Sequence, residues 1–212
     1  MADTSRTITL YDLGPSPNSM KARIALNYKE IPFEKIPVNP EDRAAVIKAS
    51  GQPLTPVLLH GGTVVYDSAS ILRYLEANFP GTRRLFTTDY NTMHEIEEWE
   101  FHGRRELNEP VEIIFGQCFG PEKSPAELRR ACDLLHEQTA KVEARLAKGP
   151  WLVGDTMTAA DVTCAPCVYY GMLPPEVAAI SPLHQFFADS LKLGEGRDRT
   201  REWARKVMAF DR

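Results

Sequence analysis

The first eighty residues switch repeatedly between strand-like and helix-like spacing of apolar side chains. Thr7–Tyr11 alternates polar and apolar positions and is rich in β-branched residues, which predicts a short strand. Met20, Ile24 and Tyr28 follow at four-residue spacing, as on one face of a helix. Strand patterns recur at residues 33–38, 56–59 and 63–66, and helix patterns at 41–48 and 67–79. The predicted order is β-α-β-α-β-β-α.

Capping and turn residues mark the limits of these elements. Ser16 is a favoured N-cap and Pro17 suits the first helical position, so a helix is predicted to begin there. Pro32 and Pro37 bracket the second strand pattern, and because proline cannot donate to a central ladder, we expect that strand at a sheet edge. His60–Gly62 separates the last two strand patterns and predicts a hairpin.

The pattern changes after residue 80. From Pro80 to Tyr90 the chain contains Pro, Gly and Thr and shows little periodicity, which indicates a linker at residues 81–90. Helical spacing then accounts for residues 91–115, 124–148, 158–170 and 199–210. We therefore predict an α/β domain at 1–80, a linker at 81–90 and an all-helical domain at 91–212.

Composition narrows the classes of partner. The chain of 212 residues has a formal net charge of −4 and a pI near 5.8, which argues against a nucleic-acid-binding surface. No apolar run approaches the ~18 residues that cross a membrane, and the N-terminus lacks a signal-peptide pattern. The four cysteines are therefore expected to be reduced thiols in a cytoplasmic protein without a membrane partner.

Four short motifs, in this order and spacing, resemble those of the cytosolic glutathione transferase superfamily. They are Ser16-Pro17-Asn18 after a strand, Thr55-Pro56-Val57, Asp67-Ser68 at a helix start, and Thr158-Ala159-Ala160-Asp161 in the helical half. The resemblance spans nearly the whole chain. It implies a thioredoxin-like N-terminal domain that binds glutathione as co-substrate, an all-helical domain that binds a second substrate, and a homodimer.

The resemblance also implies how glutathione is held. Thr55-Pro56 would form a cis bond, and the Thr55 backbone would pair with the cysteine part of glutathione like an added strand. The helix that begins at Asp67-Ser68 would bind the γ-glutamyl end, with Ser68 donating to the carboxylate and Asp67 holding the ammonium. Capping of the helix by either residue needs no ligand, and the two roles are compatible.

The loop before Thr55 departs from the family pattern, because residues 51–55 are about one residue longer than usual. Gln52 is the candidate for the glycyl carboxylate of glutathione. Lys48 and His60 are the alternatives.

Ser16 is the candidate for activating the glutathione thiol. It aligns with the serine of theta- and zeta-type enzymes, and its hydroxyl is too weak an acid to act as a base at neutral pH. Its role would be to donate a hydrogen bond to the sulfur, which is compatible with N-capping because a capping oxygen only accepts. Tyr11 is the alternative, since some classes use a tyrosine at a strand end.

Asn18 points to a second chemistry. Relatives of the prion-related yeast protein carry Thr-Pro-Asn at this turn, use the Asn amide as a second donor to sulfur, and often reduce disulfides with glutathione. Asn18 stands where maleylacetoacetate isomerases have cysteine, which counts against isomerase activity. Ser16 stands where omega-type thiol transferases have cysteine, which excludes a mixed disulfide at this position.

Other motifs in the helical half are predicted to be structural. Thr158 and Asp161 form a capping box. Cys164 and Cys167 lie within an apolar helix and not at an exposed turn, so they are interpreted as buried packing residues and not as a redox pair. No metal site is predicted, because no histidine pair complements these cysteines at zinc-finger spacing.

The second-substrate pocket is expected between the halves, lined by Trp99, His102, Arg105 and Tyr169. Three functions remain open. The first is conjugation of the glutathione thiolate to electrophilic small molecules, as in detoxification. The second is glutathione-dependent reduction of disulfides, and the third is a binding module without enzymatic activity.

Overall fold

Four strands form one mixed sheet in the computed structural model, which describes residues 7–212. They are β1 (Ile8–Asp12), β2 (Phe33–Pro37), β3 (Val57–His60) and β4 (Thr63–Tyr66). The strand order is β2-β1-β3-β4, in which only the β1–β2 pair is parallel. β2 therefore lies at an edge, as its prolines predict, and the hairpin between β3 and β4 is confirmed.

Three helices complete the first part of the chain: α1 (Pro17–Tyr28), α2 (Ala44–Ser50) and α3 (Ser68–Asn78). The observed order confirms the predicted β-α-β-α-β-β-α pattern. Its core includes Ile8 and Leu10 of β1, Ile24 of α1 and Leu72 of α3, all at most 1% exposed. Burial of such side chains is the main driving force for this packing.

The remaining helices form a second compact unit. They are α4 (Tyr90–Arg104), α5 (Asn108–Phe119), α6 (Pro125–Leu146), α7 (Ala159–Tyr169), α8 (Pro175–Ala178), α9 (Pro182–Ser190) and α10 (Asp198–Met208), with a 3-10 turn at Tyr170–Met172. α4 and α10 both pack on α7, where every residue from Ala159 to Val168 is buried. A mostly apolar helix that is buried on all sides belongs at the centre of a bundle.

The long helix predicted over residues 91–115 is two helices. α4 ends at Arg104, and α5 begins at Asn108. Pro110 explains the break, because proline cannot donate to the carbonyl of Glu106 and its ring would clash there. It is tolerated in the first turn of α5, where no intrahelical donor is needed.

Two short helices, α8 and α9, were not predicted from the sequence. α9 begins with Ser181 as N-cap and Pro182 in the first position, and Ser181 Oγ accepts from the His184 N–H at 3.3 Å. This is the same Ser-Pro signal that identifies the start of α1. α8 spans only four residues, too short for a periodic pattern.

The chain divides into two compact units between Phe86 and Thr87, which lies inside the predicted linker. The first unit extends to Phe86 and also includes Phe210–Arg212 at the end of the chain, and the second covers Thr87–Ala209. Leu85 is fully buried, and the Arg73 guanidinium lies 4.9 Å from the centroid of the Phe86 ring, so these two residues of the predicted linker pack within the first unit. Residues 1–6 of the predicted first domain lie outside the described residues. Within residues 7–212, no helix combines the length and apolarity that a bilayer span requires.

Candidate functional site

Strand register brings three of the sequence motifs to one end of the sheet. Tyr11 of β1 pairs with Val57 of β3, and Val57 pairs with Tyr66 of β4. The segment that follows β1, the one that precedes β3 and the one that follows β4 therefore meet at the same end of the sheet. These segments carry Ser16, Thr55-Pro56 and Asp67-Ser68 respectively. The Thr55–Pro56 peptide bond is cis.

Ser16 is the N-cap of α1. Its backbone is extended, with φ −84° and ψ 122°, and its Oγ accepts from the Ser19 N–H at 3.4 Å. Since this cap uses the oxygen as an acceptor, the hydroxyl proton remains available to another acceptor. Ser16 is half-buried at a positive helix terminus, which favours a neighbouring anion. Tyr11, the alternative, is half-buried within β1 between β2 and β3.

Asn18 connects the first turn of α1 with the first turn of α3. Its Oδ1 accepts from Lys21 Nζ at 3.0 Å and lies 3.5 Å from the hydroxyl of Ser68. Ser68 is 7% exposed, whereas Asn18 is exposed. Two helix N-termini therefore meet here, and each brings backbone N–H groups and a polar side chain to the same place.

Asp67 is the N-cap of α3. Its Oδ1 accepts from the Ser70 N–H at 2.9 Å, and the residue itself is exposed. A carboxylate has more acceptor positions than one cap uses, so Asp67 is free to bind an ammonium group at the same time. The capping role is thus observed, and the ligand role stays a prediction.

The longer loop before Thr55 is closed by Gln52 itself. Its Nε2 donates to Ser50 Oγ at 2.9 Å and to Leu54 O at 3.0 Å, and its Oε1 accepts from the Leu54 N–H at 2.6 Å. Gly51 begins this loop at a φ of 77°, a conformation that side chains disfavour. Both amide donors of Gln52 are therefore engaged within the loop.

The two alternatives to Gln52 lie in different environments. Lys48 is exposed on α2. His60 is 1% exposed at the opposite end of β3, where Nδ1 lies 2.9 Å from the hydroxyl of Tyr74 and the ring packs 5.4 Å from that of Phe79. His60 is thus separated from the Thr55-Pro56 edge by the length of the strand.

Arg23 holds the turn that carries Ser16. This buried side chain of α1 contacts Asp12 at the end of β1 and donates from Nη2 to Gly14 O at 3.2 Å. It also binds both carboxylate oxygens of Asp211, at 2.6 and 3.0 Å. Desolvation opposes its charge, but hydrogen bonds and attraction from Asp211 and Asp12 outweigh it and raise the pKa of Arg23.

The residues predicted to line a second-substrate pocket differ in exposure. Trp99 and His102 of α4 are 8% and 5% exposed, Arg105 is exposed and Tyr169 is half-buried. His102 Nε2 lies 3.3 Å from Gln138 O. Burial, reinforced by the charge of Lys141, lowers the pKa of His102. Burial of Trp99 and His102 is typical of packing residues, and the pocket stays a prediction.

Asp161 accepts hydrogen bonds from the loop before α7 and from α10. Its Oδ2 accepts from the Thr158 N–H at 2.8 Å and from the Thr158 hydroxyl at 3.1 Å, so the predicted capping box is present. Its Oδ1 accepts from the Leu152 N–H at 3.0 Å and from Trp203 Nε1 at 2.8 Å. Burial raises the pKa of Asp161, and these four donors oppose that effect by favouring the carboxylate.

Cys164 and Cys167 of α7 are both buried, as predicted. The Cys164 thiol lies 3.2 Å from Trp99 O, and the Cys167 thiol lies 3.7 Å from Gly103 O. A Cβ at Gly103 would come within 2.8 Å of Cys164 Sγ, so glycine permits the close approach of α4 to α7. Among residues 7–212, no cluster of three histidine, cysteine or carboxylate side chains is arranged to hold a metal ion.

Two residues of this region were missed by the sequence analysis. Lys21 and Arg23 read as polar positions of an amphipathic helix, yet they are 2% and 5% exposed. The three-residue spacing between Asn18 and Lys21 places both on one helix face and would have indicated their contact. Nothing local to Arg23 indicates Asp211, because the two are 188 residues apart.

Models of known families match both parts of the chain. A model described as "Glutathione S-transferase, N-terminal domain" matches residues 10–83, and one described as "Glutathione S-transferase, C-terminal domain" matches residues 125–205. The chain is 28% identical over 171 residues to "Glutathione S-transferase GstB" of Escherichia coli strain K12, covering 76% of this chain and 82% of that protein. It is also 28% identical over 191 residues to "Glutathione S-transferase 3" of Zea mays, covering 82% and 80%.

Solved structures show the same fold. A glutathione S-transferase from Rhodospirillum rubrum F11 aligns with a TM-score of 0.79 at 22% identity, covering 95% of this chain and 87% of that one. A structure of Ure2p in complex with glutathione aligns with a TM-score of 0.77 at 18% identity, covering 96% and 90%. The two family models together cover most of the chain in the expected order, and the protein therefore belongs to the glutathione S-transferase superfamily.

Proposed function

We propose that the protein transfers the thiolate of glutathione to electrophilic small molecules. The observation that carries this proposal is the first turn of α1, where Ser16 caps the helix through its oxygen and keeps a hydroxyl proton to donate. Asn18, on the same turn, offers an exposed amide. Both would donate to the glutathione sulfur, which then forms a bond to an electrophilic carbon while the leaving group departs with its electron pair.

The energy required is within reach of this turn. A free thiol has a pKa of about 8.5, and each unit by which the pKa is lowered corresponds to about 1.4 kcal/mol in favour of the thiolate. One hydrogen bond to a charged group contributes about 1.5–3 kcal/mol, and a helix N-terminus adds about 0.3–1 kcal/mol. Ser16 and the α1 terminus together suffice to lower the thiol pKa by one to two units, without a base.

The rest of glutathione would extend along the sheet edge. The Thr55 backbone would pair with the cysteine part, and Ser68 and the α3 terminus would bind the γ-glutamyl carboxylate. Asp67 would hold the ammonium with the oxygen that capping leaves free. For the glycyl carboxylate Gln52 remains the proposal, although it must first release Ser50 or Leu54, which predicts a weak contact at that end.

Two measurements test this function. Calorimetry should show glutathione binding to the wild-type protein, and a chloronitroaromatic should be conjugated with release of chloride. Ser16→Ala should raise the pKa of the bound thiol by one to two units and lower the conjugation rate at neutral pH, while Ser16→Thr, which keeps the hydroxyl, should lie closer to wild type. An unchanged pH profile in Ser16→Ala would remove Ser16 from the mechanism. Absence of glutathione binding would favour a binding module without enzymatic activity.

Asn18 favours a second candidate, the reduction of disulfides. The bound thiolate would attack one sulfur of the substrate disulfide, and the other would leave as a thiolate and take up a proton. A second glutathione would then release the remaining thiol, so that two glutathiones become glutathione disulfide. Reduction of hydroxyethyl disulfide in wild type and in Asn18→Ala tests this candidate, and no loss in the variant would count against it.

A homodimer is part of this proposal. Large apolar side chains are exposed on β4 and α4, including Tyr66 at 49%, Tyr90 at 81% and Phe101 at 54%. Each unit therefore has large apolar side chains in contact with solvent, and large exposed apolar areas are typical of interaction surfaces. Sedimentation equilibrium should give a dimer, and Phe101→Glu should shift it toward monomer. The cytoplasmic location stays a prediction.

A further inference from the structure

Lys21 is an unusual residue in the first unit, because a buried lysine normally has a carboxylate partner. It is 2% exposed on α1, and among residues 7–212 no carboxylate lies within ion-pair distance of it. Its Nζ instead donates to the side chain of Asn18 at 3.0 Å. Lys29, a buried lysine at the C-cap of α1, pairs with Glu76 at 2.9 Å. A buried ammonium without a counter-ion is costly, which suggests a purpose beyond stability.

The contact with Lys21 decides which way the Asn18 carboxamide points. An ammonium group only donates, so the atom facing Lys21 Nζ must be the carbonyl oxygen and not the NH2 group. The hydroxyl of Ser68 lies 3.5 Å from the same oxygen. The NH2 group is then turned away from both residues, and within the described chain it donates to no protein acceptor.

We propose that Lys21 is a positioning residue that, together with Ser68, fixes the Asn18 carboxamide so that its NH2 group faces the sulfur of bound glutathione. This inference rests on the proposed function, since it concerns the second donor of the same site. Without Lys21 the carboxamide can rotate by half a turn about the Cβ–Cγ bond of Asn18. Its oxygen would then face the thiolate and repel the negative charge. Lys21 thus acts through Asn18 and touches no reacting atom.

The same contacts connect the two ends of the glutathione site. Ser68 would bind the γ-glutamyl carboxylate through its backbone N–H, because its single hydroxyl proton is directed at the Asn18 oxygen that Lys21 also contacts. A carboxylate at the α3 terminus would add a negative charge close to Lys21 Nζ and lower the cost of burying that charge. Glutathione would therefore stabilise the arrangement that presents the Asn18 donor to its own sulfur.

The decisive measurement is the pKa of the thiol of bound glutathione, taken from the ultraviolet absorbance of the thiolate, in a double-mutant cycle. Lys21→Met should raise this pKa by about one unit, because the thiolate would lose about one hydrogen bond to its charged form. Lys21→Arg, which also only donates, should stay close to wild type. In an Asn18→Ala background, Lys21→Met should cause no further change. Lys35→Met, at an exposed position of β2, controls for the lost charge.

Other roles for Lys21 would give different results in these measurements. If Lys21→Met raises the thiol pKa equally with and without Asn18, Lys21 acts by its charge and the positioning role is overturned. No shift in Lys21→Met, or none in Asn18→Ala, overturns it as well. Should Lys21→Met not fold, Lys21→Gln serves instead, because glutamine both donates and accepts and no longer dictates the orientation; a wild-type thiol pKa there overturns the proposal. Failure of wild type to bind glutathione in calorimetry would instead contradict the proposed function.

Discussion

Helices α1 and α7 begin with the same kind of cap but leave different groups free. Ser16 at α1 is half-buried and accepts one hydrogen bond, from the Ser19 N–H at 3.4 Å. Thr158 at α7 has its N–H and hydroxyl bound by Asp161, which is completely buried. The hydroxyl of Ser16 is therefore still able to donate to a ligand, whereas the N–H and hydroxyl of Thr158 donate within the fold.

Each helix start is also tied down by a buried charged residue of its own helix. Arg23 connects the turn before α1 to Asp12, Gly14 and Asp211. Asp161 connects the loop before α7 to Leu152 and Trp203. A cap motif in the sequence therefore predicts a helix start in both cases. Whether that start can also bind a ligand depends on which donors the tertiary structure leaves unpaired.

Removing Asp161 should give the largest effect on stability. Asp161→Ala leaves the Leu152 N–H and Trp203 Nε1 buried without acceptors, at about 1–3 kcal/mol each, and removes its half of the capping box with Thr158, worth about 0.5–2 kcal/mol. We expect a loss of about 4–6 kcal/mol in denaturant unfolding. Asp155→Ala, at an exposed position of the same region, is the matched control and should change stability little. Equal stability in both variants would contradict the structural role of Asp161.

Removing Arg23 should cost slightly less but also affect the site. Arg23→Met leaves Asp12 and Asp211 with side chains 11% and 13% exposed and no cation, for which we expect a loss of about 3–5 kcal/mol. Because Arg23 also holds Gly14, the Ser16 turn should loosen and the pKa of bound glutathione's thiol should rise. Asp161→Ala should leave that pKa unchanged under conditions where the variant is folded. A thiol pKa that moves in Asp161→Ala and not in Arg23→Met would reverse the comparison.

The sequence predicts most of the first unit because its signals are local. Ser16-Pro17, the hairpin glycines and the alternating strands identify their elements, and strand register then brings the motifs together. The residues that support the site could not be predicted this way. The contact of Arg23 with Asp211 spans 188 residues, and the burial of Lys21 depends on packing around a polar position.

The helical unit was predicted less well for physical reasons. α7 is buried on all sides, so its spacing does not show which neighbours cover it. The break before Pro110 follows from proline chemistry, but the surrounding residues keep a helical pattern across it. Trp99 and His102 have the aromatic and titratable side chains typical of a pocket, yet their burial is equally typical of a core. Side-chain type alone cannot distinguish these two cases.

The two caps themselves should differ in chemistry but not in stability. Ser16→Ala and Thr158→Ala should each lower the free energy of unfolding by about 0.5–2 kcal/mol, the usual value of a helix cap. Only Ser16→Ala should change the pH profile of conjugation. The Ser16 hydroxyl can donate its proton to the proposed sulfur position, whereas the Thr158 hydroxyl donates to Asp161. Ser16→Gly, which preserves more of the cap's stability, separates the two contributions. A change in pH profile with Thr158→Ala would show that the α7 start contributes to the site.

A third cap sharpens the comparison by its dependence on pH. Asp89 caps α4 and accepts from the Thr92 N–H at 2.9 Å and the Thr92 hydroxyl at 2.7 Å. The backbone hydrogen bond first, and the hydroxyl second, lower the pKa of Asp89. As pH falls, the unfolded chain therefore binds the proton first. The stability from this cap is present above the unfolded pKa of about 3.9 and is lost as pH falls through the lower folded pKa.

Asp89→Asn should therefore reduce the acid sensitivity of the fold with little change at neutral pH. Asparagine caps helices as well as aspartate but does not titrate, so the variant should lose less stability than wild type between about pH 5 and pH 3. Thermal melts across this range measure the difference, and Asp155→Asn, at an exposed loop position, controls for the lost charge. If both variants follow the wild-type curve, the Asp89 cap contributes no acid-sensitive stability. Unlike Ser16, this cap has no proton to donate at neutral pH, so the thiol pKa of bound glutathione should be identical in Asp89→Asn and wild type.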